Sequence, residues 1–488
     1  MVDSLKSRTV RAISWSFLES IGLRGVQFVI GIMLARLLFP EQFGLIGMLT
    51  IFIAVAQSLF DSGFGAALIQ KREATLTDTC SIFYFNILLG LATSGVLYLV
   101  APWIAAFYSQ PILTPLMRAL SLTIVINSFS LIQYTLLIKQ VDFKTLTKVS
   151  IIASVVSGVV GIILAARGFG VWSLVAQQIL SNLLRTVLLW LLNDWRPALL
   201  FSFNSLREMF GFSSRILASG IINRIFDNIY LLVIGKLFSA TDLGFFTRAK
   251  TMEEVPSVTL SGIVGRVTFP VFSTIQDDPT RLKRGLKKAL TSLGLVNFPM
   301  MIGLAVIARP LVLVLLTEKW TESIPYLQLL CLVGLLFPVI LINSNLLFAL
   351  GRSKIHLRVE IIKKVLILMN IAITWQWGIS KMISGMIVIS IVSLILNSYY
   401  TGIFIGYPIR EQLRDLFPSL ITSGLMGGAV YAIGLLPFPS HFSMLLVQIF
   451  MGIVIYACLC RLLRLTAFME IWKIGRSKMP LLRIEIPR

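Results

Sequence analysis

Fourteen predominantly apolar runs, each of more than 20 residues, follow one another along this 488-residue chain. That length lets an α-helix cross roughly 30 Å of hydrocarbon. They lie at 12–37, 41–70, 78–106, 112–138, 144–167, 170–193, 206–237, 241–273, 283–309, 322–350, 355–377, 380–405, 415–436 and 441–463. A large water-soluble core would break such runs into amphipathic stripes. Charge supports the membrane reading: Asp, Glu, Lys and Arg make up only 13% of the chain, about half the share usual for a soluble domain. The expected fold is therefore all-α and integral to a membrane, with about 14 transmembrane helices.

The net charge of +21 would suggest nucleic acid if the basic residues formed a domain. Instead they fall in short clusters at every second connection. These are Lys71-Arg72; Lys139, Lys144 and Lys148; Arg196 and Arg207; Arg281, Lys283, Arg284, Lys287 and Lys288; Arg352, Lys354 and Arg358; and Arg410 with Arg414. The N-terminal Lys6, Arg8 and Arg11 and the tail Lys473, Arg476 and Lys478 continue the set. Positive loops stay cytoplasmic, so both termini are expected there and the number of spans is even. The basic run 281–288 reads as an amphipathic lead-in to the ninth span, lying on anionic headgroups. The tail around Phe468, Ile471, Trp472 and Lys473 has the same interfacial character. No nucleic-acid partner, metal spacing or cleavable signal is expected. Cys80, Cys331, Cys458 and Cys460 sit in or beside apolar segments.

The chain repeats itself. A shift of 200 residues carries Ser14 onto Ser214, Arg24 onto Arg224, Arg36 onto Lys236, Gly44 onto Gly244 and Gly65 onto Gly265. A shift of 210 carries Lys144 onto Lys354 and Lys148 onto Arg358. Coincident charges and glycines outweigh chance matches among Leu and Ile. Six spans separate the copies, so they share one orientation: a parallel repeat, as in transporters that work by alternating access. The expected organisation is an N-lobe at 1–200 and a C-lobe at 201–408. Two extra spans follow at 409–465, with an interfacial tail at 466–488.

Several stretches then point to a family. They are Ser14-Trp-Ser-Phe-Leu-Glu-Ser20, Leu34-Ala-Arg-Leu-Leu-Phe-Pro-Glu-Gln-Phe-Gly-Leu45, Asp61-Ser-Gly-Phe-Gly-Ala66, Leu243-Gly-Phe-Phe-Thr-Arg-Ala-Lys250 and Phe269-Pro-Val-Phe-Ser273. With them the chain resembles the polysaccharide-exporter branch of the multidrug/oligosaccharidyl-lipid/polysaccharide exporter superfamily. The resemblance implies a flippase in the bacterial inner membrane without a cofactor. It would move undecaprenyl-pyrophosphate-linked oligosaccharide units outward for exopolysaccharide, capsule or O-antigen synthesis. It implies a polyprenyl-pyrophosphate-linked glycan and the lipid bilayer as partners, alongside other polysaccharide-assembly proteins. The residues alone reach only a two-lobed transporter.

Ionisable side chains inside spans cost about 2.5–3.5 kcal/mol each on insertion scales and so need a purpose. They gather on the first two helices of each lobe, which line the central cleft in this family. The candidate cavity cations are Arg24, Arg224, Arg248, Lys250 and Arg266. The candidate acidic or coupling groups are Glu19, Asp61, Asp227, Glu253 and Glu254. Arg224 with Asp227, and Lys250 with Glu254, are spaced to pair on one helix face, which is a structural alternative to substrate binding. Arg24 and Arg224 are repeat equivalents and would set two guanidiniums across a cleft, a fork that suits pyrophosphate. Arg185 stands alone in the sixth span. Recognition is expected to lean on the second lobe, because Arg248, Lys250, Glu253 and Arg266 face Met48, Thr50, Ile53 and Ala66 in the alignment. Pro256 would permit a kink, whereas Gly63/Gly65 and Gly262/Gly265 read as close helix packing.

Two rivals within the superfamily remain: a cation-coupled drug antiporter, which would need a carboxylate-rich cleft, and a flippase for the peptidoglycan lipid precursor. An enzyme such as a glycan polymerase is not expected. Every connection is short, no nucleophile–base pair or phosphate-binding glycine loop is present, and His356 and His441 fall at helix ends.

Overall fold

The computed structural model describes residues 22–61, 63–71, 73–465 and 467–470. Among them there is no strand. Helix α1 covers 22–37. It is followed by α2 (Pro40–Asp61), α3 (Phe64–Gln70), α4 (Leu76–Tyr108), α5 (Leu113–Ser128), α6 (Leu131–Lys139), α7 (Phe143–Ala166) and α8 (Val171–Leu192). Then come α9 (Phe203–Leu237), α10 (Ala240–Thr274), α11 (Pro279–Val306), α12 (Ala308–Leu315), α13 (Ser323–Ala349) and α14 (Ser353–Thr374). The last three are α15 (Ile379–Ile405), α16 (Ile409–Gly434) and α17 (His441–Leu462).

Where described, each of the fourteen sequence segments falls largely on helix. Among the described residues, ten helices are long and apolar enough to cross a membrane, and α5 with α6 makes an eleventh if that bent pair is one span. The other three segments are α1, described only from residue 22, and the charge-bearing α10 and α14. The protein is thus a multi-pass membrane protein.

Local chemistry explains the helix starts. Thr75 and Asp78 form a capping box, with Asp78 N–H donating to Thr75 Oγ1 (3.1 Å) and Thr75 N–H to Asp78 Oδ2 (3.0 Å). Asp142, Ser202 and Ser440 cap α7, α9 and α17 in the simpler way. Asp278 accepts from Thr280 and Arg281, with Pro279 in the first turn of α11.

Packing divides the chain between Thr247 and Arg248 into two compact units. This division tells which helices touch; the repeat tells which helices are equivalent.

In the first unit, Ile30 of α1 sinks into α7 where Gly158 has no β carbon; a methyl there would lie 2.2 Å from Ile30 Cδ1. A second close approach links repeat equivalents. A β carbon on Gly44 would meet the Ala240 carbonyl oxygen at 1.6 Å, and one on Gly244 would meet the Pro40 carbonyl oxygen at 1.9 Å. Pro40 and Ala240 are themselves related by the 200-residue shift. The first turns of α2 and α10 therefore clasp each other reciprocally, backbone against backbone.

In the second unit, α11, α13, α15 and α16 enclose a core around Leu286, Leu290, Ile342, Leu346 and Tyr407. One buried amide organises its end. Gln412 Nε2 donates to Thr401 Oγ1 (2.8 Å) and the Tyr407 carbonyl (3.0 Å), while Gln412 Oε1 accepts from Ser398 Oγ (3.0 Å) and Asn343 Nδ2 (3.1 Å). The basic run 281–288 leads into the ninth span as a continuous helix. It forms the first turns of α11, where Lys283 pairs with Glu411 (2.7 Å) and Lys287 with Asp415 (2.8 Å). Acidic groups on α16 thus pair with two of the run's cations. The expected tail contacts of Ile471, Trp472 and Lys473 lie outside the described residues.

Candidate functional site

Two of the expected spans in the first unit are broken. The second span stops at Asp61 and restarts at Phe64 through Gly63, whose φ of +72° is readily accessible only to glycine. The same glycine packs closely, since a β carbon would lie 2.7 Å from the Ser213 carbonyl oxygen. Gly63 thus does what the sequence suggested and also breaks the helix. The fourth span bends by 44° between α5 and α6. Hydroxyls at this break turn back on the chain, Ser128 Oγ donating to the Val125 carbonyl (2.7 Å) and Ser130 Oγ to Asn127 (3.0 Å).

The half-helices α3 and α6 support each other. Lys139 Nζ donates to the carbonyls of Leu68 (3.1 Å) and Lys71 (2.7 Å), placing a cation on the C-terminal end of α3. Lys71 in turn lies 2.8 Å from Asp78. The hydrogen bond to that carboxylate holds the Lys71 ammonium above its ordinary titration range.

Two cavities of about 270 and 300 Å3 open at these breaks and share Ser58, Leu131, Tyr134 and Arg224. The first adds Gln57, Asn127, Ser130, Asn182 and Arg185 to the wall. The Arg185 guanidinium stands over the Tyr134 ring at 4.7 Å from its centroid, a stacking that holds the charge facing the cavity without neutralising it. Leu131, the first residue of α6, also lines the wall, and the first N–H groups of a helix lack intrahelical acceptors. Two guanidiniums and the amides of Asn127, Asn182 and Gln57 offer a surface fitted to phosphate and sugar oxygens.

Arg185 is the residue that sequence reasoning left alone. A signal for it was present. Gln178, Asn182 and Arg185 are spaced i, i+4, i+7 on α8, a polar stripe along an otherwise apolar helix.

The expected site residues separate. Arg224 is exposed on α9 and reaches both cavities, whereas Arg24, half-buried on α1, is not among the residues lining either. Asp227 is exposed on α9. In the second unit, Arg248 is buried with its guanidinium 5.7 Å from the Trp320 ring centroid. Lys250 and Glu254 form the i, i+4 pair that their spacing allowed, at 3.6 Å. Glu253 is buried. Arg266 lies within α10 and Asp61 ends α2, but their side chains, and all of Glu19, fall outside the description. Pro256 leaves α10 unbroken. Among the described residues no group of three metal-ligating side chains occurs. A separate cavity of about 640 Å3, almost wholly apolar, lies among α11, α16 and α17 in the second unit.

The sequence profile described as "Polysaccharide biosynthesis protein" matches residues 33–325. The chain is 30% identical over 440 residues to the lipopolysaccharide biosynthesis protein WzxC of Escherichia coli (strain K12), covering 87% of this chain and 88% of that protein. It is also 30% identical over 341 residues to the succinoglycan biosynthesis transport protein ExoT of Rhizobium meliloti (strain 1021), covering 69% of each. Among solved structures, the lipid II flippase MurJ in an inward closed conformation shares the fold. The TM-score is 0.78 at 14% identity, over 92% of this chain and 98% of that one. A chain of apolar helices with broken spans around polar cavities, matched over most of its length to these proteins, belongs to the polysaccharide biosynthesis protein family, within the exporter branch of the multidrug/oligosaccharidyl-lipid/polysaccharide exporter superfamily.

Proposed function

We propose that the protein flips polyprenyl-pyrophosphate-linked oligosaccharide units from the cytoplasmic to the outer face of the bacterial inner membrane. It does so by alternating access, with fourteen crossings and both termini in the cytoplasm. The repeat lobes are 1–200 and 201–408, with two further spans at 409–465 and the tail at 466–488. The carrying observation is the polar wall at the two helix breaks, with Arg185 and Arg224 on it. Irregular backbone at membrane depth is tolerated where it lines a cavity, and transporters build substrate sites from such discontinuous helices.

The chemistry fits an anionic headgroup. One guanidinium–phosphate contact near 4 Å is worth about 4 kcal/mol at an effective dielectric of 20, comparable to the insertion cost of the arginine. Two of them hold a pyrophosphate without trapping it. Outward movement of an anion from a negative interior gains about 2.3 kcal/mol per charge per 100 mV. A drug antiporter for cations would not be served by two guanidiniums in its cavity. The names of WzxC and ExoT support a glycan cargo.

The test is to delete the protein and identify the lipid-linked sugar that accumulates. Its appearance on the cytoplasmic face, and export restored by the intact chain, are the expected results. Normal export of every surface glycan in the deletion strain would overturn the proposal.

A further inference from the structure

Among the carboxylates placed in the spans, Glu253 stands apart. It is 7% exposed on α10, whereas the Glu254 side chain is 45% exposed and paired with Lys250, and Asp227 is exposed. Its carboxyl group is wedged against α13 where Gly334 has no β carbon; a methyl there would lie 2.0 Å from Oε1. The reason for that glycine is local. Pro338 has no N–H, so it leaves the Gly334 carbonyl without its helical donor. Asn297 of α11 fills the gap, its Nδ2 donating to the carbonyls of Gly334 (3.2 Å) and Leu335 (3.1 Å). Asn297 Oδ1 is then left buried with no donor among the described residues.

We propose that Glu253 is a proton-binding site, loading and releasing one proton in each transport cycle. Among the described residues no cation is ion-paired with its carboxylate; Lys250, whose field reaches it, is paired with Glu254, so the ionised form is poorly compensated where it is buried. The charged and titratable neighbours are few. Lys250 and Glu254 on α10 are committed to each other, Arg248 is held against Trp320, and α13 offers the thiol of Cys331. Around Gly334, α11 presents the neutral Asn297 and Met301. A hard metal cation would need a shell of oxygens. Here the neighbours include the Met301 sulfur, the two α13 carbonyls are taken by Asn297, and Ser257 gives its hydroxyl proton to the Glu253 carbonyl (3.1 Å). A proton needs no such shell.

The balance is simple. The carboxylate gains H+ from water on one side and forms O–H; the bond breaks and H+ returns to water on the other side. One proton thus moves inward for each glycan-lipid moved outward. This coupling rests on the flippase reading, but the proton site does not.

The test separates the two. Full-length protein in phosphatidylethanolamine/phosphatidylglycerol vesicles is treated with dicyclohexylcarbodiimide, which attacks protonated carboxyls in apolar surroundings, and its peptides are weighed. The expected adduct sits on Glu253 and not Glu254. It falls about tenfold per pH unit above the midpoint and is unchanged when sodium replaces potassium. Absence of the adduct at every pH, or protection by sodium, overturns the proton site. Gly334→Ala keeps the carboxyl but displaces it, and is expected to shift the midpoint even if Glu253→Gln fails to fold. In cells, Glu253→Gln is expected to make export insensitive to an ionophore that collapses the pH gradient. Unchanged sensitivity overturns the coupling.

Discussion

Two pairs of repeat-equivalent helices have opposite characters. In the first copy the second and fourth spans are broken, into α2/α3 and α5/α6; in the second copy α10 and α13 run through. Position by position the cause is visible. Gly63 takes a positive φ, and 200 residues on stands Ile263, a β-branched residue for which that conformation is strongly disfavoured. At the other break, hydroxyls of Ser128 and Ser130 compete for backbone carbonyls, and 210 residues on stand Pro338 and Ile340. The carbonyl that Pro338 frees is met by Asn297, and α13 continues. One copy spends its irregularity on making polar cavities. The other stays continuous and carries its polarity as side chains such as Arg248, Lys250 and Glu253 within α10.

The sharpest way to break this comparison is to exchange residues across the repeat. Gly63→Ile puts a β-branched residue at φ +72° and its β carbon 2.7 Å from the Ser213 carbonyl oxygen. The strain alone is about 1–3 kcal/mol, and the collision adds to it. Export is expected to be lost and thermal stability lowered, while the reciprocal Ile263→Gly costs only about 1 kcal/mol of helix propensity. Wild-type export by Gly63→Ile, measured as surface glycan at equal protein level, would show that the break is dispensable.

The clasp between α2 and α10 comes next. Gly44→Ala would set a methyl 1.6 Å from the Ala240 oxygen, so the two first turns can no longer meet. A Gly47→Cys/Leu243→Cys pair replaces an existing contact, the Gly47 β-carbon position being 3.2 Å from Leu243 Cγ. Spontaneous disulfide formation is expected, with export arrested on oxidation and restored by reduction if the clasp opens in each cycle. Full export by the oxidised pair would make the clasp a static joint. Equivalent stretches around residues 33–39 and 233–239 are where the repeat alone would have placed this test; the glycine contacts move it about one turn further along the chain.

At the cavity, Arg185→Ala and Arg224→Ala are each expected to lower export about tenfold, a net loss of roughly 1.4 kcal/mol once water and the remaining guanidinium offset most of the gross Coulomb gain of about 4 kcal/mol. Lys should restore part of it, by charge without the fork. Arg24→Ala tests the sequence-based alternative: if it matches the other two, the headgroup site extends beyond the cavity residues.

The smallest effect is at the loop joining α3 to α4. Lys71→Met should lower the unfolding temperature by about one degree, consistent with a partly exposed ion pair worth up to about 1 kcal/mol. Because the folded ammonium titrates above its ordinary range, the contribution is fully present below about pH 10.4. It is lost as pH rises through the folded value. An unchanged midpoint for Lys71→Met across that range would assign the loop's order to the Thr75–Asp78 capping box alone.

The helices were legible because burial in lipid acts on each segment separately. Length and apolarity are properties of 20-odd consecutive residues, and every run from 12–37 to 441–463 that could be compared falls largely on helix. The family was legible for a similar reason, since its marks are contiguous stretches such as 34–45 and 243–250. The breaks were half legible: Gly63 was visible as a glycine, but its left-handed backbone depends on what α3 packs against.

Which charges meet was decided only in three dimensions. Local spacing found Lys250 with Glu254 because an i, i+4 pair lies within one helix. It could not find Arg185 beside Tyr134 and Arg224, which come from α8, α6 and α9. Nor could it foresee Lys283 and Lys287 held by Glu411 and Asp415, 128 residues away, or tell that Glu253 is buried while Glu254 beside it is not. A helix presents its residues in every direction, and only the neighbours it packs against determine which of them share a cavity. The sequence therefore determined the helices, their repeat and their family; tertiary packing determined the site.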